Sequence, residues 1–528
     1  MNRRRVTLWA AVTGVLAAVV TLAVAEAFAA FMATPGSSPL FAVGSAVVDL
    51  VPAWVKELVI SLFGTGDKVA LFVGLGLLVL VLAVVIGMLQ YRRPPTGLIA
   101  LATVGLVSVI AVASRAGAGP LWALPSLAGV FAGILVLRAT ATKLRDWVEA
   151  TAPVPVPITP GLQSNRAATR VSLTRRRFFV LLGGTAAGAV VIGLGARALN
   201  AGTAAVNVVR DALVLPKPTT AAPAIPVAAE LDIPGISPLI SANDTFYRID
   251  TALQVPVIDA STWKLRITGM VDNEIEIGFD ELLALPMTEH SVTLMCVSNE
   301  VGGDLVGNAT WLGYPIRELL KRAGPQAGAD MVLSTSIDGF TAGTPLDVLL
   351  EDDRQSLLAV GMNGEPLPIE HGFPVRMVVP GLYGYVSATK WIVSLKVTTF
   401  AADMGYWTPR GWSALGPVKT ASRIDVPASG TSVSAGTVAI AGVAWAQHRG
   451  VERVEVRVDD GAWQPATLAE AISIDTWRQW FLPWDAPSGS HTIAVRATGA
   501  PNDTQRENRV PVAPNGSEGY HTVTVTVA

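Results

Sequence analysis

The sequence is poor in cysteine: its 528 residues hold one, Cys296. A single thiol excludes every intrachain disulfide, and also the Cys-rich zinc and iron–sulfur sites, which need several thiolates. Histidine is scarce as well. The five histidines stand at 290, 371, 448, 491 and 521, so the apolar first two hundred residues have none. That excludes a bis-histidine haem among them, and the lone cysteine excludes a Cys-x-x-Cys-His haem throughout. Positive charge is not in surplus either. Lys and Arg number 39 against 41 Asp and Glu, a formal net charge of -2. Nothing is left over to neutralise a phosphate backbone, so nucleic acid is not an expected partner.

What is present is unevenly spread. Four apolar stretches, 7–31, 69–90, 97–115 and 120–138, reach the roughly 20 residues a helix needs to cross a bilayer. A fifth, 178–199, follows a basic cluster. The segment 40–64 is apolar but broken by Asp49, Pro52, Lys56 and Glu57, and reads as an interfacial, non-spanning piece. Arg3 to Arg5, Arg92, Arg93, and the basic residues from Arg138 through Arg166 to Arg177 fall on one side of these spans. By the positive-inside tendency the N-terminus lies inside and everything after residue 200 outside. The segment SLTRRRFFVLLGG sets Arg175 and Arg176 just ahead of a Phe pair and an apolar run. This resembles a twin-arginine export signal, a route for folded proteins already carrying a cofactor; the plain alternative is a positive-inside flank. The glycines of GLGLLVL and GGTAAGAVVIGLG read as small helix-packing residues, not as a nucleotide fingerprint.

The second half has ordinary polarity. Residues 201–239 are rich in Pro and Ala and read as a tether. From 240 to 405, β-like runs such as HSVTLMCV alternate with helical pieces such as PIRELLKRAG, which predicts an α+β domain. From 406 to 528, TVAIAGVAWA, VERVEVRVDDG and HTVTVTV alternate apolar and polar residues between turns, the pattern of an all-β immunoglobulin-like sandwich. VERVEVRVDDGAWQPA reads as a hairpin turning at Asp459, Asp460 and Gly461. The expected fold is an α-helical transmembrane bundle over 1–200, then the α+β domain, then the sandwich.

Cys296 closes the β-like run SVTLMC and opens a small-residue turn. Three readings compete: a small core residue, a nucleophile served by His290 six positions upstream, and one protein bond to a transition metal whose other ligands come from a cofactor.

The surroundings bear on that choice. ISPLISANDTFYRID (236–250), SVTLMCVSNEVGG, TWLGYPIRELLKRAG (310–324) and GEPLPIEHGFPVRMVVPGLYGYVSATKW (364–391) follow one another. In that order they resemble the sulfite oxidase family of molybdenum–molybdopterin oxidoreductases, over about 236–528. GVAWA, VRVDDGAW and NGSEGYHTVTV resemble that family's dimerisation domain. The resemblance implies that Cys296 is the thiolate ligand of molybdenum, whose remaining sulfurs come from the pterin. It implies that His371, Arg376, Thr389 and Lys390 bind the cofactor, that Asn243, Phe246 and Tyr247 lie across it, and that Asn299 and Thr335 contribute. Arg248 matches a residue that orients substrate. The implied protein is a membrane-anchored bacterial enzyme, multi-pass in the cytoplasmic membrane with its catalytic part outside. It acts by two-electron oxygen-atom transfer on a small oxyanion or sulfoxide, carries no haem, passes electrons to a separate partner and forms a homodimer. Two positions depart from the sulfite-specific pattern: Phe340 stands where a phenol is expected, and Arg248 is followed by Ile-Asp in place of Asn-His. A methionine-sulfoxide-reductase-like repair enzyme and a non-catalytic surface protein with a degenerate cofactor fold remain as alternatives.

Overall fold

A computed structural model describes residues 2–32, 37–52, 67–115, 118–151, 163–199 and 209–528, with 55, 58, 59 and 62 between them. Lys56 and Glu57, residues 152–162, the side chain of Arg166 and the first part of the expected tether, 201–208, lie outside the described residues. The chain forms two compact units, Met1–Ala205 and Val206–Ala528.

The first unit is helical: α1 (Arg3–Phe31), α2 (Pro39–Leu50), α3 (Asp67–Arg92), α4 (Thr96–Ala113), α5 (Leu124–Ala150) and α6 (Gln163–Leu199). Among the described residues four helices are long and apolar enough to cross a membrane: Arg3–Phe31, Lys68–Arg92, Thr96–Ala113 and Pro120–Ala150. The expected fifth span lies in α6, a 37-residue helix whose first half is basic. Its side chains past Val191 are outside the described set. α2 has 12 residues, a length of about 18 Å, too short for the bilayer core. Among the described residues, the glycines that pack helices closely are not the ones the sequence singled out. Gly74, Gly76, Gly183, Gly184 and Gly188 have nothing within 4 Å of an added Cβ, because they sit on outward faces. Close approach is made instead by Gly14 and Gly87, where α1 meets α3: a Cβ on Gly14 would stand 2.0 Å from the Ala83 carbonyl oxygen.

The second unit holds the two expected globular parts. The first contains β1 (Lys264–Gly269), β2 (Ile275–Gly278), β3 (Thr288–Met295), β4 (Val306–Pro315), β5 (Met331–Ser336), β6 (Thr341–Pro345), β7 (Leu357–Met362), β8 (Glu365–Pro366), β9 (Arg376–Val378) and β10 (Ile392–Thr398). Short helices α7 (Phe279–Leu283), α8 (Ile316–Ala323) and α9 (Leu346–Leu350) lie between them. One sheet runs β2-β1-β10-β5-β6 and the other β3-β4-β7-β8, with β9 on β7. β7, LLAVGM, is buried at every position, which explains why its run is continuously apolar and not alternating. Trp311, Trp391, Phe373 and Tyr383 fill the core between. The loop 399–420 carries no strand and leads into the sandwich.

The sandwich comprises β11 (Ala421–Val426), β12 (Ser432–Val433), β13 (Gly436–Trp445), β14 (Val451–Val458), β15 (Gln464–Pro465), β16 (Thr467–Leu468), β17 (Arg478–Ala486), β18 (Gly489–Gly499), β19 (Asp503–Thr504) and β20 (His521–Val527). Its sheets run β11-β13-β17-β16 and β12-β20-β18-β14-β15, and Ile440, Val454, Trp480 and Val495 meet between them. β14 and β15 form the expected hairpin, pairing Glu455 with Pro465; Asp459 takes a positive φ of 51° at its turn.

The described part of the expected tether, 209–239, does not hang free. Thr219 and Thr220 donate to the Met287 carbonyl, at 2.8 and 3.2 Å. Arg210 Nε donates to the Leu367 carbonyl at 2.8 Å, and the Leu231 amide to Gln479 Oε1 at 2.6 Å. Proline favours an extended backbone here, and the amides of Thr219, Thr220 and Leu231 find partners on the globular surface.

Candidate cofactor and active site

The loop between β3 and β4, residues 296–305, carries the thiol. The Cys296 amide donates to the Leu305 carbonyl at 2.9 Å and its carbonyl accepts from the Asn299 amide at 3.1 Å. Asn299 closes the turn, its Oδ1 accepting from the Leu305 amide at 2.8 Å. The sandwich pins the same loop. Ser517 Oγ donates to the Asn299 carbonyl at 2.7 Å, and Arg423 Nη1 to the Gly303 carbonyl at 2.7 Å. Gly302, at φ +84°, packs so tightly on the His521 ring that a Cβ would stand 2.4 Å from it. Only glycine satisfies both the backbone and that contact.

Cys296 opens onto a recess of about 130 Å³ whose lining also includes Phe246, Tyr247, Asp250, His371, Arg376 and Lys390. Burial pushes the thiol's pKa up, while the amide and hydroxyl of Ser298 oppose the shift. His371 is buried and set by its Nε2 contact with the Asn243 carbonyl, 3.0 Å. Burial, then the charges of Arg376 and Lys390, hold it down at about 4, so the ring is neutral at pH 7. Arg376 donates Nη1 to the His371 carbonyl at 3.1 Å and lies 4.9 Å from the Trp311 ring centre. Burial lowers its pKa to about 10, leaving it charged. Lys390 Nζ donates to Asp250 Oδ2 at 2.8 Å and to the Glu370 carbonyl at 3.0 Å. Burial pulls it down to about 8, with Asp250 opposing. Phe246 stacks on Tyr247 at 5.2 Å and meets the His371 ring edge-on at 5.6 Å.

Five expected site residues stand behind the wall. Asn243 orients His371 through its carbonyl, and its Oδ1 accepts from Asn363 at 2.8 Å. Thr389 shares a 2.7 Å hydroxyl contact with Ser334. Thr335 sits mid-strand, paired with Ser394 on one side and Thr341 on the other. Asn299 fixes the cysteine loop. Arg248 donates Nε to Asp250 Oδ2 at 2.9 Å and is not itself part of the lining. His290 does not serve Cys296: its Nε2 is held by Asp475 of the sandwich at 2.7 Å, and six residues of strand, about 20 Å, separate the two. The recess also has residues that motif reading passed over. Asp250 is one; Tyr385, Trp407 and Trp412 are others. YWTPRGW carried a signal, two tryptophans around a turn in a strandless loop, but spacing alone attached them to no site.

The donor set suits a molybdopterin. One soft thiol faces a recess with two buried cations, which match an anionic phosphate, and a bound cation supplies what this thiol lacks for ionisation.

Comparison with known proteins agrees. The oxidoreductase molybdopterin binding domain family matches residues 252–407, and the bacterial Ig domain family matches 421–495. Human mitochondrial sulfite oxidase is 30% identical over 302 residues, covering 48% of this chain and 55% of that protein. Sulfite oxidase of Arabidopsis thaliana is 27% identical over 338 residues, covering 52% and 84%. The uncharacterized oxidoreductase YuiH of Bacillus subtilis (strain 168) is 34% identical over 158 residues, covering 30% of this chain and 76% of its own. Among solved structures, the sulfane dehydrogenase SoxCD from Paracoccus pantotrophus aligns with a TM-score of 0.49 at 20% identity, over 55% of this chain and 82% of that one. The chain spans about half the length of the animal sulfite oxidases it matches, 55%. Fold and site thus define a molybdopterin-dependent oxidoreductase. The chain belongs to the sulfite oxidase family.

Proposed function

We propose that the protein is a membrane-held, extracytoplasmic oxidoreductase that moves one oxygen atom to or from a small molecule. The observation that carries this reading is the Cys296 thiol facing Arg376, Lys390 and neutral His371 across one recess. Cys296 would hold molybdenum; Arg376, Lys390 and His371 would hold the pterin, with Phe246 and Tyr247 against it. When bound, the cofactor supplies two-electron oxygen-atom chemistry. In the oxidising direction the substrate gains oxygen from water, and two protons and two electrons leave; in the reducing direction an S–O bond breaks and water forms. The electrons pass to or from a separate carrier protein.

The protein's own residues bind and orient. Neutral His371 donates to the Asn243 carbonyl through Nε2 and so leaves Nδ1 as an acceptor toward a pterin N–H. Arg376 and Lys390 stay charged and would hold the cofactor phosphate. Trp407 and Trp412 add apolar surface to the lining of the recess. Membrane anchoring is supported by four helices of spanning length and composition, and the outside placement by the arginine pattern of 1–177. Residues 406–528 are read as a dimerisation-type module and 209–239 as the connector to the membrane helices. The test is molybdenum and pterin analysis of protein from a cofactor-competent host, followed by paramagnetic resonance titration with sulfite, sulfoxides and nitrate. Protein free of both metal and pterin overturns the reading.

A further inference from the structure

We propose that Asp250 sets the charge class of the substrate: it occupies Arg248 and Lys390, so that the recess receives an uncharged organic oxygen donor or acceptor, a sulfoxide or thioether with an apolar substituent, and not a free oxyanion. This rests on the functional reading above and narrows it.

The argument is one of charge and placement. Asp250 lies two residues after Arg248, its side chain is 4% exposed, and it lines the recess that holds Cys296. Its Oδ2 accepts from Arg248 Nε at 2.9 Å and from Lys390 Nζ at 2.8 Å. Three cations gather here, Arg248, Arg376 and Lys390, against Asp250 and a second lining carboxylate, Asp338. The inner two, Arg376 and Lys390, are buried and, on the functional reading above, would be taken up by the cofactor phosphate. The outer one, Arg248, is tied to Asp250. A second anion entering beside Cys296 would therefore lose its hydration without a cation to replace it, which is costly in a closed site. Arg410, in the loop between the tryptophans, does not line the recess; its Nη1 donates to the Tyr406 carbonyl at 2.6 Å and its guanidinium lies 3.7 Å from that ring centre.

Much of the remaining wall is aromatic, Phe340, Tyr385, Trp407 and Trp412, interrupted by Thr251, Ser298, Ser336 and Asp338. The Tyr385 hydroxyl donates away from the recess to the Ser413 carbonyl, at 2.8 Å, so the ring and not the hydroxyl serves the substrate. Such a wall rewards an apolar substituent and offers an inorganic anion a few hydroxyls but no further cation.

The test uses the full-length, molybdenum-loaded protein in detergent, with calorimetric binding of sulfate (an unreactive dianion) and methyl phenyl sulfoxide (an uncharged probe). Molybdenum and pterin are assayed on the same samples. Wild type is expected to bind the sulfoxide and to bind sulfate at least about tenfold more weakly than Asp250→Asn, in which Arg248, released from Asp250 at the edge of the recess, would turn in to take the anion. Asp250→Glu should restore the wild-type preference. Loaded wild type that binds sulfate as tightly as Asp250→Asn, or prefers sulfate to the sulfoxide, overturns the inference. If Asp250→Asn fails to load, the wild-type pair of ligands decides alone, since it needs no variant. Wild type without molybdenum shows itself in the metal assay and overturns the functional reading instead.

Discussion

At the scale of single residues, Cys296 is unusual for what surrounds it. A structural cysteine sits among apolar side chains; this one faces two cations and a neutral imidazole, and burial keeps it protonated until a cation binds. Replacing Sγ by Oγ changes little volume but removes a soft donor. Cys296→Ser is therefore expected to abolish turnover and lose molybdenum, while the melting temperature of metal-free protein moves by less than the equivalent of about 1.5 kcal/mol. An active serine variant that contains molybdenum would refute the ligand assignment. His521 makes a second residue-level case. Its Nδ1 accepts from the Ile424 amide at 2.9 Å, which requires the neutral ring. Burial, then Arg423 and Arg509, hold its pKa at about 4, below the usual 6.5. Folded protein thus binds fewer protons than unfolded protein between those values, so this contribution to stability is whole above about 6.5 and is lost as pH falls toward 4. His371, also near 4, adds the same sign. Thermal midpoints measured from pH 7 to 4 should fall, and His521→Gln, which cannot titrate, should flatten the slope without removing the share due to His371.

At the scale of elements, the cysteine loop is positioned by two domains at once. β3 and β4 set its ends, and β20 sets its depth through the His521–Gly302 contact. Gly302→Ala forces a left-handed alanine against a ring 2.4 Å away, at a cost of about 1–3 kcal/mol. A lower melting temperature with reduced molybdenum content is the expected outcome; unchanged values for both would show that the sandwich does not govern the loop. This also marks what was legible in the sequence. That Cys296, His371, Arg376 and Lys390 share one recess could be anticipated because each lies in a short segment whose order is distinctive, and the β-sandwich because its strands alternate. Asp250, Trp407 and Trp412 could not, because their role depends on a strandless loop folding over the recess, and no periodicity encodes that. Thr335 and Asn243 were placed in the right neighbourhood, but one is held mid-strand and the other acts through its backbone, matters of register and side-chain direction. The connector failed differently: Pro/Ala composition reports an extended backbone, and is silent about whether partners lie alongside it.

At the scale of the whole molecule, the proposed placement of 209–528 outside the membrane turns on the arginines that open α6. α6 is one continuous helix that joins the Arg175–Arg177 cluster to the apolar run. Phe178 is fully buried, its ring 5.8 Å from that of Trp9 on α1 and 5.7 Å from that of Trp147 on α5. Arg175 lies 5.8 Å from the Phe179 ring centre. The basic cluster is thus joined to an aromatic contact that seats α6 in the bundle. Two accounts of its arginines make different demands. A charge-based orientation needs only positive charge, which lysine supplies equally; a twin-arginine signal is read by a receptor and needs the arginines themselves. Substituting Arg175 and Arg176 both by Lys preserves the charge and separates the two. Under the export reading the substituted protein keeps its first four helices in the membrane but leaves 209–528 inside, protected from protease added to the outer face of intact cells, while wild type is cleaved there. Equal cleavage of both would reduce the cluster to a topological charge, and loading of molybdenum before export would lose its support.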